Sequence, residues 1–504
     1  MLCGRCGPGK AGGRPSEMTG SSVLMKQINR DILKLAVPSI LANITVPLVG
    51  MADIAVAGHL DSDSAAMIGG IAVGSMLFDL LYWNFSFLRV GTGGLAAQAY
   101  GRGDMRECAR IFLRAAGIAL ACALLLIAVQ WVFVSMAFAV VDCTDQVREL
   151  ASMYFFVRIW AAPATLGLMA FKGWFIGMQD SVSPMLTDLV VNGMNVFMSI
   201  VLALGISVGS FRYEGIGFAG IAAGTVMAQW TGLLSAVIML LVRYRRRVFS
   251  GMSLADVAGV FRGEQTRRFF VMNSDLFVRS LCFIAIYIGF TTISARYGDL
   301  LLATGSIMMK LLLLFSYFTD GFAYAGEALT GRYVGAGDKG MMRSTVRWTF
   351  LWSMGIALVF MVIYRFAGMM LLGVMTSDMA VIDMARCYMP WLLMMPLVGC
   401  AAFTWDGIYI GATASKDIRN AMLWAVAAFV CTWGVGIHVL NAANTSGDAV
   451  YGMSGACSSG ECFAAACSSG ATRYGILAMH ILMGAYFAHL LARTVYLSLR
   501  YRRL

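Results

Sequence analysis

Leu95–Asp104 reads LAAQAYGRGD, and Leu329–Asp338, 234 residues further on, reads LTGRYVGAGD. A second pair stands at the same offset: KGWFIG at Lys172–Gly177 and DGIYIG at Asp406–Gly411. Two independent matches at one spacing mark an internal duplication. Each copy closes a long apolar run, and six such runs separate one copy from the next. If every run crosses a membrane, an even number between copies gives both halves the same orientation. Two parallel six-helix lobes with a pathway between or within them are a transporter signature. Duplication without transport is the plainer alternative.

The composition supports membrane crossing. Of 504 residues, 59% are hydrophobic and 13% charged, against about 25% charged in a soluble domain. Mean hydropathy is +0.75. These values exclude a soluble enzyme, a disordered chain and a nucleic-acid binder. A spanning helix needs about 20 apolar residues, and open strands cannot satisfy their backbone in lipid. The fold class is therefore all-α integral membrane, with twelve transmembrane helices in two pseudo-symmetric six-helix bundles around a central cavity. The runs are 33–59, 65–98, 108–139, 150–178, 184–209, 215–242, 269–294, 300–334, 344–374, 385–412, 419–440 and 474–498. The 55 Gly and 36 Met suit close, yielding helix packing. Residues 25–242 form the first lobe, 243–268 a basic linker and 269–504 the second lobe.

The charge of +11 resolves into loops. Arg102, Arg106 and Arg110 follow span two; Arg243, Arg245, Arg246, Arg247, Arg262, Arg267 and Arg268 lie between spans six and seven. Arg332, Lys339 and Arg343 follow span eight, and Lys416 and Arg419 follow span ten. Alternate loops carry Asp61, Asp63, Asp142, Asp145, Glu149, Asp378 and Asp383. This bias predicts both termini in the cytoplasm of a multi-pass protein of the cell inner (plasma) membrane.

Residues 1–24 are polar and Gly-rich with no apolar core, so they read as a disordered extension and not as a signal peptide. Gly4–Lys10 nearly spells a phosphate loop, but Ala11 replaces the Ser/Thr and no strand precedes it. Residues 441–472 form a low-complexity outer loop holding Cys457, Cys462 and Cys467, a weak candidate for a disulfide or metal site. Cys108, Cys122, Cys282, Cys387, Cys400 and Cys431 sit in or beside apolar runs as small apolar residues.

Pro38–Leu60 (PSILANITVPLVGMADIAVAGHL), Phe87–Asp104 (FLRVGTGGLAAQAYGRGD) and Gly173–Met185 (GWFIGMQDSVSPM) resemble multidrug and toxic compound extrusion (MATE) transporters, the DinF-type branch best. The similarity covers roughly 25–440 and the last span. It implies two helix bundles around a V-shaped cavity and proton- or sodium-driven export of amphipathic, often cationic, compounds. The 441–472 loop departs from the family.

A charge at mid-membrane costs about 2.5–3.5 kcal/mol on insertion scales, so such residues face a cavity or a partner. Asp53 lies in span one after Pro38 and Pro47. It is either a proton carrier or a structural carboxylate held by neighbouring amides. The resemblance implies that it is the main cation-coupling residue. Asp188, Asn192, Asn195 and Ser199 recur at i, i+4, i+7 and i+11 and share one stripe of span five within about 40°. In the family an Asn and an Asp four residues later occupy this stripe. Asn195 matches the first and Ser199 replaces the second, which leaves Asp53 more isolated and mildly favours protons. Interhelical hydrogen bonding alone is the plainer reading of the stripe. Thr225 and Gln229 are i, i+4 partners on span six, and Thr225 resembles a family threonine near the proton site.

Lys172 and Asp406 hold equivalent places in the two repeats and could pair across the lobes as a cytoplasmic gate, or snorkel and cap locally. Asp320 and Glu327 share a face of span eight. They could draw cations into the second lobe, or pair with Lys310, Arg279 or Arg365. Asp79 is a weaker candidate of this kind. Met51, Met194 and Met198 near the polar stripes could offer a yielding apolar surface.

Three functions compete. The first is an antiporter exporting amphipathic or cationic drugs or toxic metabolites for H+, or for Na+, by alternating access. The second is a lipid-linked oligosaccharide flippase, which needs a cationic cavity for pyrophosphate. The third is a membrane-embedded enzyme, against which no HExxH or GxSxG motif appears and the four histidines are scattered. The expected partners are small amphipathic or cationic substrates and the lipid bilayer, with no nucleic acid, no metal and no cofactor beyond the coupling ion. The protein is expected to be monomeric.

Overall fold

The computed structural model describes residues 15–58, 60, 64–141, 143–208, 211–250, 259–445 and 473–504. Among these, twelve helices are long and apolar enough to cross a membrane. Spans one to six are Met25–Gly58, Ala66–Gly101, Met105–Ala139, Asp145–Gly177, Val182–Leu204 and Phe218–Phe249. Spans seven to twelve are Glu264–Ala295, Asp299–Gly335, Lys339–Met375, Met379–Gly411, Ser415–Asn444 and Arg473–Arg503. Every expected run is a helix, most of them a turn or so longer at their polar ends.

Two expectations change at the edges. The fifth run, expected to 209, ends at Leu204, where Gly205 takes φ +82°. The chain then forms a hairpin, Ile206–Val208 antiparallel to Phe211–Tyr213. A positive φ is cheap for glycine and stops the helix there. The expected disordered stretch 1–24 is helical from Pro15, because proline at a first helical position gives up no hydrogen bond. Residues 1–14 and 446–472, with the cysteine cluster, lie outside the described residues.

The duplicated motif has a physical meaning. Gly103 and Gly337 both take φ +74°. The next residue in each repeat, Asp104 or Asp338, then caps the following helix, accepting from the amide of Glu107 or Met341 at 2.9 Å. The second motif ends alike, for Gln179 and Thr413 are the two non-glycine residues with positive φ among the described residues. They too stand 234 apart.

Each half builds its own apolar core. Phe78, Phe155 and Trp174 belong to the first; Phe315, Tyr364 and Tyr388 belong to the second. Outward faces carry exposed Leu124, Leu125, Val242, Phe366 and Val374, as lipid contact requires. The halves meet where the motifs lie. The start of span one (Ile28, Ile32, Leu35) packs on Phe322, Ala325 and Leu329 of span eight. Backbones come very close: a Cβ on Gly101 would stand 2.0 Å from the Arg332 carbonyl oxygen, and one on Gly335 would stand 2.2 Å from that of Gln98. Gln98 and Arg332 are repeat mates, so the two contacts are one contact seen twice.

Candidate functional site

In the first lobe, the stripe of span five makes four separate polar contacts. Asp188 pairs with the Lys172 ammonium. Asn192 donates to Thr45 Oγ1 at 2.6 Å, and Asn195 donates to Thr225 Oγ1 at 2.9 Å. Ser199 Oγ donates to Asp53 Oδ1 at 3.1 Å. Asp53, Asn195, Ser199 and Thr225 are all buried. Asn192, Asn195 and Ser199 each have their own partner on span one or span six, and Ser199 holds the carboxyl it was expected to leave isolated. Thr225 turns to the Ile221 carbonyl, not to Gln229.

Arg158, in the middle of span four, lies within electrostatic reach of both Asp53 and Asp79. Its guanidinium rests 4.8 Å over the Phe78 ring and donates to the Tyr154 hydroxyl at 2.9 Å. Sequence reasoning missed it. A charged residue at mid-span was the available signal, the same signal that picked out Asp53.

Between span two and the second lobe lies a cavity of about 310 Å³ lined by three arginines, Arg89, Arg279 and Arg493, and three carboxylates, Asp320, Glu327 and Asp406. Trp83, Phe283, Tyr287, Tyr324 and Tyr486 supply aromatic walls. The expected Lys172–Asp406 gate does not form. Lys172 is held by Asp188, while Asp406 Oδ2 meets Arg279 Nη2 at 2.6 Å and Arg493 Nη2 at 3.5 Å. Each charge finds a nearer partner inside its own lobe.

Glu327 is fully buried and reaches across to Arg89 of span two at 3.4 Å. Arg89 also lies 4.4 Å over the Tyr324 ring. The symmetry makes room for this pair, because Gly93, the repeat mate of Glu327, leaves the space in which Glu327 Oε1 sits. Lys310 and Arg365 are on exposed faces, and the expected pairing with them gives way to the closer arginines. Asp320 has no ion pair among the described residues. The described residues hold no group of three or more metal-ligating side chains.

At the end that carries the basic loops, the lobes are also tied by polar bonds. Gln98 Nε2 donates to Gly411 O at 3.2 Å and to Thr413 Oγ1 at 3.0 Å. Gln179 Nε2 donates to Ala328 O at 2.7 Å. Outside the spans, Asp180 ties three elements together. It accepts from Ser183 Oγ at 2.6 Å, Tyr244 Oη at 2.9 Å and Arg243 Nη1 at 3.2 Å. Burial pushes its carboxyl up, but the Ser183 and Tyr244 hydrogen bonds and the Arg243 charge outweigh this and hold it below its usual value.

Twelve spans in two like-oriented repeats, with charged residues turned into an internal cavity, define a multi-pass membrane transporter. A family model described as MatE matches residues 38–201 and 276–436, and the chain belongs to that family. It is 33% identical over 425 residues to DNA damage-inducible protein F of Escherichia coli K12, covering 83% of this chain and 89% of that one. It is 22% identical over 335 residues to a probable multidrug resistance protein NorM of Synechocystis, 66% of this chain and 69% of the other. A solved outward-facing multidrug resistance MATE family transporter has the same fold, with TM-score 0.75 and 14% identity over 96% of this chain and 98% of that one. Members of the family are transporters, so the chain is not an enzyme.

Proposed function

We propose that the protein is a secondary active antiporter. It exports small amphipathic compounds, cationic ones among them, in exchange for H+, with Na+ as the alternative ion. One observation carries this reading: Asp53 is a buried carboxyl on span one, bonded to Ser199 of span five, with Arg158 near. A carboxyl so placed couples ion uptake to helix packing, because its contacts differ as the lobe rearranges. Coupling requires different ion affinities in the two states. The polar ties between the lobes run from the basic-loop end, where Gln98 meets Gly411 and Thr413 and Gln179 meets Ala328, to mid-membrane, where Asn43 meets Tyr317, Ser86 meets Ser280 and Arg89 meets Glu327; the basic-loop end is the cytoplasmic end if Lys and Arg mark the inside. Both termini are then cytoplasmic, in the inner membrane, and this state releases substrate outward.

The flippase reading gains nothing from the cavity. Its three arginines face three carboxylates, so the surplus of positive charge that pyrophosphate needs is lacking.

The test is reconstitution into vesicles with a cationic dye, with the pH and sodium gradients collapsed separately. Efflux follows the pH gradient and stops in Asp53→Asn. Efflux that persists in Asp53→Asn under the same gradient refutes the coupling role.

A further inference from the structure

A second cavity, of about 630 Å³, opens at the basic-loop end of the second lobe, between the starts of spans seven and eleven. Arg267, Arg268 and Lys416 line it, with Glu264 and Asp417. The two spans are fixed to each other beside it, where Asp275 accepts from Ser415 Oγ at 2.7 Å and from Arg419 Nη1 at 2.6 Å. That carboxylate offsets Arg419. Arg267, Arg268 and Lys416 form no ion pair among the described residues. Arg500, which is not part of the lining, lies 3.9 Å from Asp417. Glu264 alone is then left against three cations, and two positive charges remain. Arg268 is held in place, because its Nη2 donates to Thr413 Oγ1 at 3.1 Å.

The cavity also has an apolar side. Val271 and Met272 form part of its wall. Phe270 and Val271 follow Arg267 by three and four residues, so they share its face of span seven. Both are exposed. Leu423 follows Lys416 by seven residues and shares its face of span eleven. It is exposed too, as is Trp424 next to it. The charged cavity therefore opens onto apolar surface of the kind that faces lipid.

We propose that this cavity holds the headgroup of an anionic phospholipid. The phosphate accepts from Arg267, Arg268 and Lys416, and the acyl chains lie along Val271 and Leu423. Free phosphate would suit the three cations but would leave the apolar walls in water. Arginine forks match phosphate oxygens, and basic pockets between spanning helices take such headgroups. The site is separate from the internal cavity and from Asp53, so it stands or falls apart from the antiport reading.

The test uses the full chain in phosphatidylcholine nanodiscs holding a small share of a photoactivatable lipid. Two probes carry the same diazirine chain, one on phosphatidylglycerol and one on phosphatidylcholine. Labelled residues are mapped by mass spectrometry. The phosphatidylglycerol probe should label the surface around Val271 and Leu423 about fivefold or more above the phosphatidylcholine probe, the worth of roughly one cation at an anionic headgroup. The Arg267→Gln, Lys416→Gln double variant should remove that excess. An Arg245→Gln, Arg246→Gln double variant, altered at exposed arginines outside the cavity, should keep it. The labelling of the unaltered protein stands without any variant, so a variant that fails to fold does not decide the matter. Equal labelling by the two probes, or label spread evenly over the lipid-facing helices, overturns the proposal. So does an equal loss in both double variants, which marks diffuse surface attraction. Displacement of the label by added inorganic phosphate marks a free-anion site and overturns it as well.

Discussion

The backbone contact between Gly101 and Arg332 makes a sharp prediction. In Gly101→Ala the new Cβ would stand 2.0 Å from the Arg332 carbonyl oxygen and 2.8 Å from its carbon. A tolerable carbon–oxygen contact is about 3.3 Å, so the two segments must part by roughly 1.3 Å. Neither side is a flexible side-chain tip, so only movement of one lobe against the other relieves the clash. Overpacking of this kind costs about 1–3 kcal/mol. If the strain is confined to the state with this end closed, the equilibrium shifts by about 5- to 150-fold toward the state open there. Genetically encoded spin labels at Arg106 and Lys339, at the starts of spans three and nine, report the change and leave the native cysteines untouched. Pulsed dipolar spectroscopy should show a longer-distance population in Gly101→Ala and also in Gly335→Ala, whose Cβ meets the Gln98 oxygen at 2.2 Å. Gly193→Ala is the control, because nothing lies within 4 Å of its Cβ. An unchanged distance distribution in Gly101→Ala, or the same change in Gly193→Ala, refutes the argument that close backbone contact holds this end shut.

Two further outcomes follow from the charges. Arg89→Gln leaves Glu327 fully buried without its cation, which costs about 3–5 kcal/mol for a buried pair. The melting temperature in detergent should fall clearly and recover in part in the Arg89→Gln, Glu327→Gln double variant; a single variant as stable as the parent contradicts this. Asp180 is held below its usual value in the folded protein, so its contribution is present above the unfolded value of about 3.9 and is lost as pH falls through the lower folded value. Melting measured from neutral pH downward should lose less stability on acidification in Asp180→Asn than in the parent, and identical acid slopes would exclude the Asp180 cluster as a cause.

Much of the architecture was legible because lipid imposes one simple rule, that each crossing be a long apolar helix, and because the duplication left matching words at a fixed offset. The spacing on span five likewise forecast one polar face, since helix geometry alone sets which residues share it. The partners were another matter. Asp188 with Lys172, Asn195 with Thr225, and Ser199 with Asp53 join residues on different spans, and periodicity within one helix says nothing about the facing helix. Arg89, Arg158 and Arg493 each sit within an apolar run, and a guanidinium there carries the same signal of a cavity or a partner as a carboxylate does.

The duplication further explains why Lys172 and Asp406 form no gate. Lys172 and Asp406 are symmetric in sequence, but a twofold axis brings a residue opposite its own mate only where it lies on that axis. Lys172 and Asp406 do not meet, and each turns to partners in its own lobe. Among the residues that do meet across the lobes are two crossed pairs, Gly101 against Arg332 and Gly335 against Gln98. Glu327 reaches Arg89 by passing through the space left by its own mate, Gly93. In the second repeat that place holds a carboxylate, and in the first it holds nothing beyond the backbone. The mate of Arg89 is Ala323 and the mate of Glu327 is Gly93, so this buried ion pair between the lobes has no symmetric counterpart.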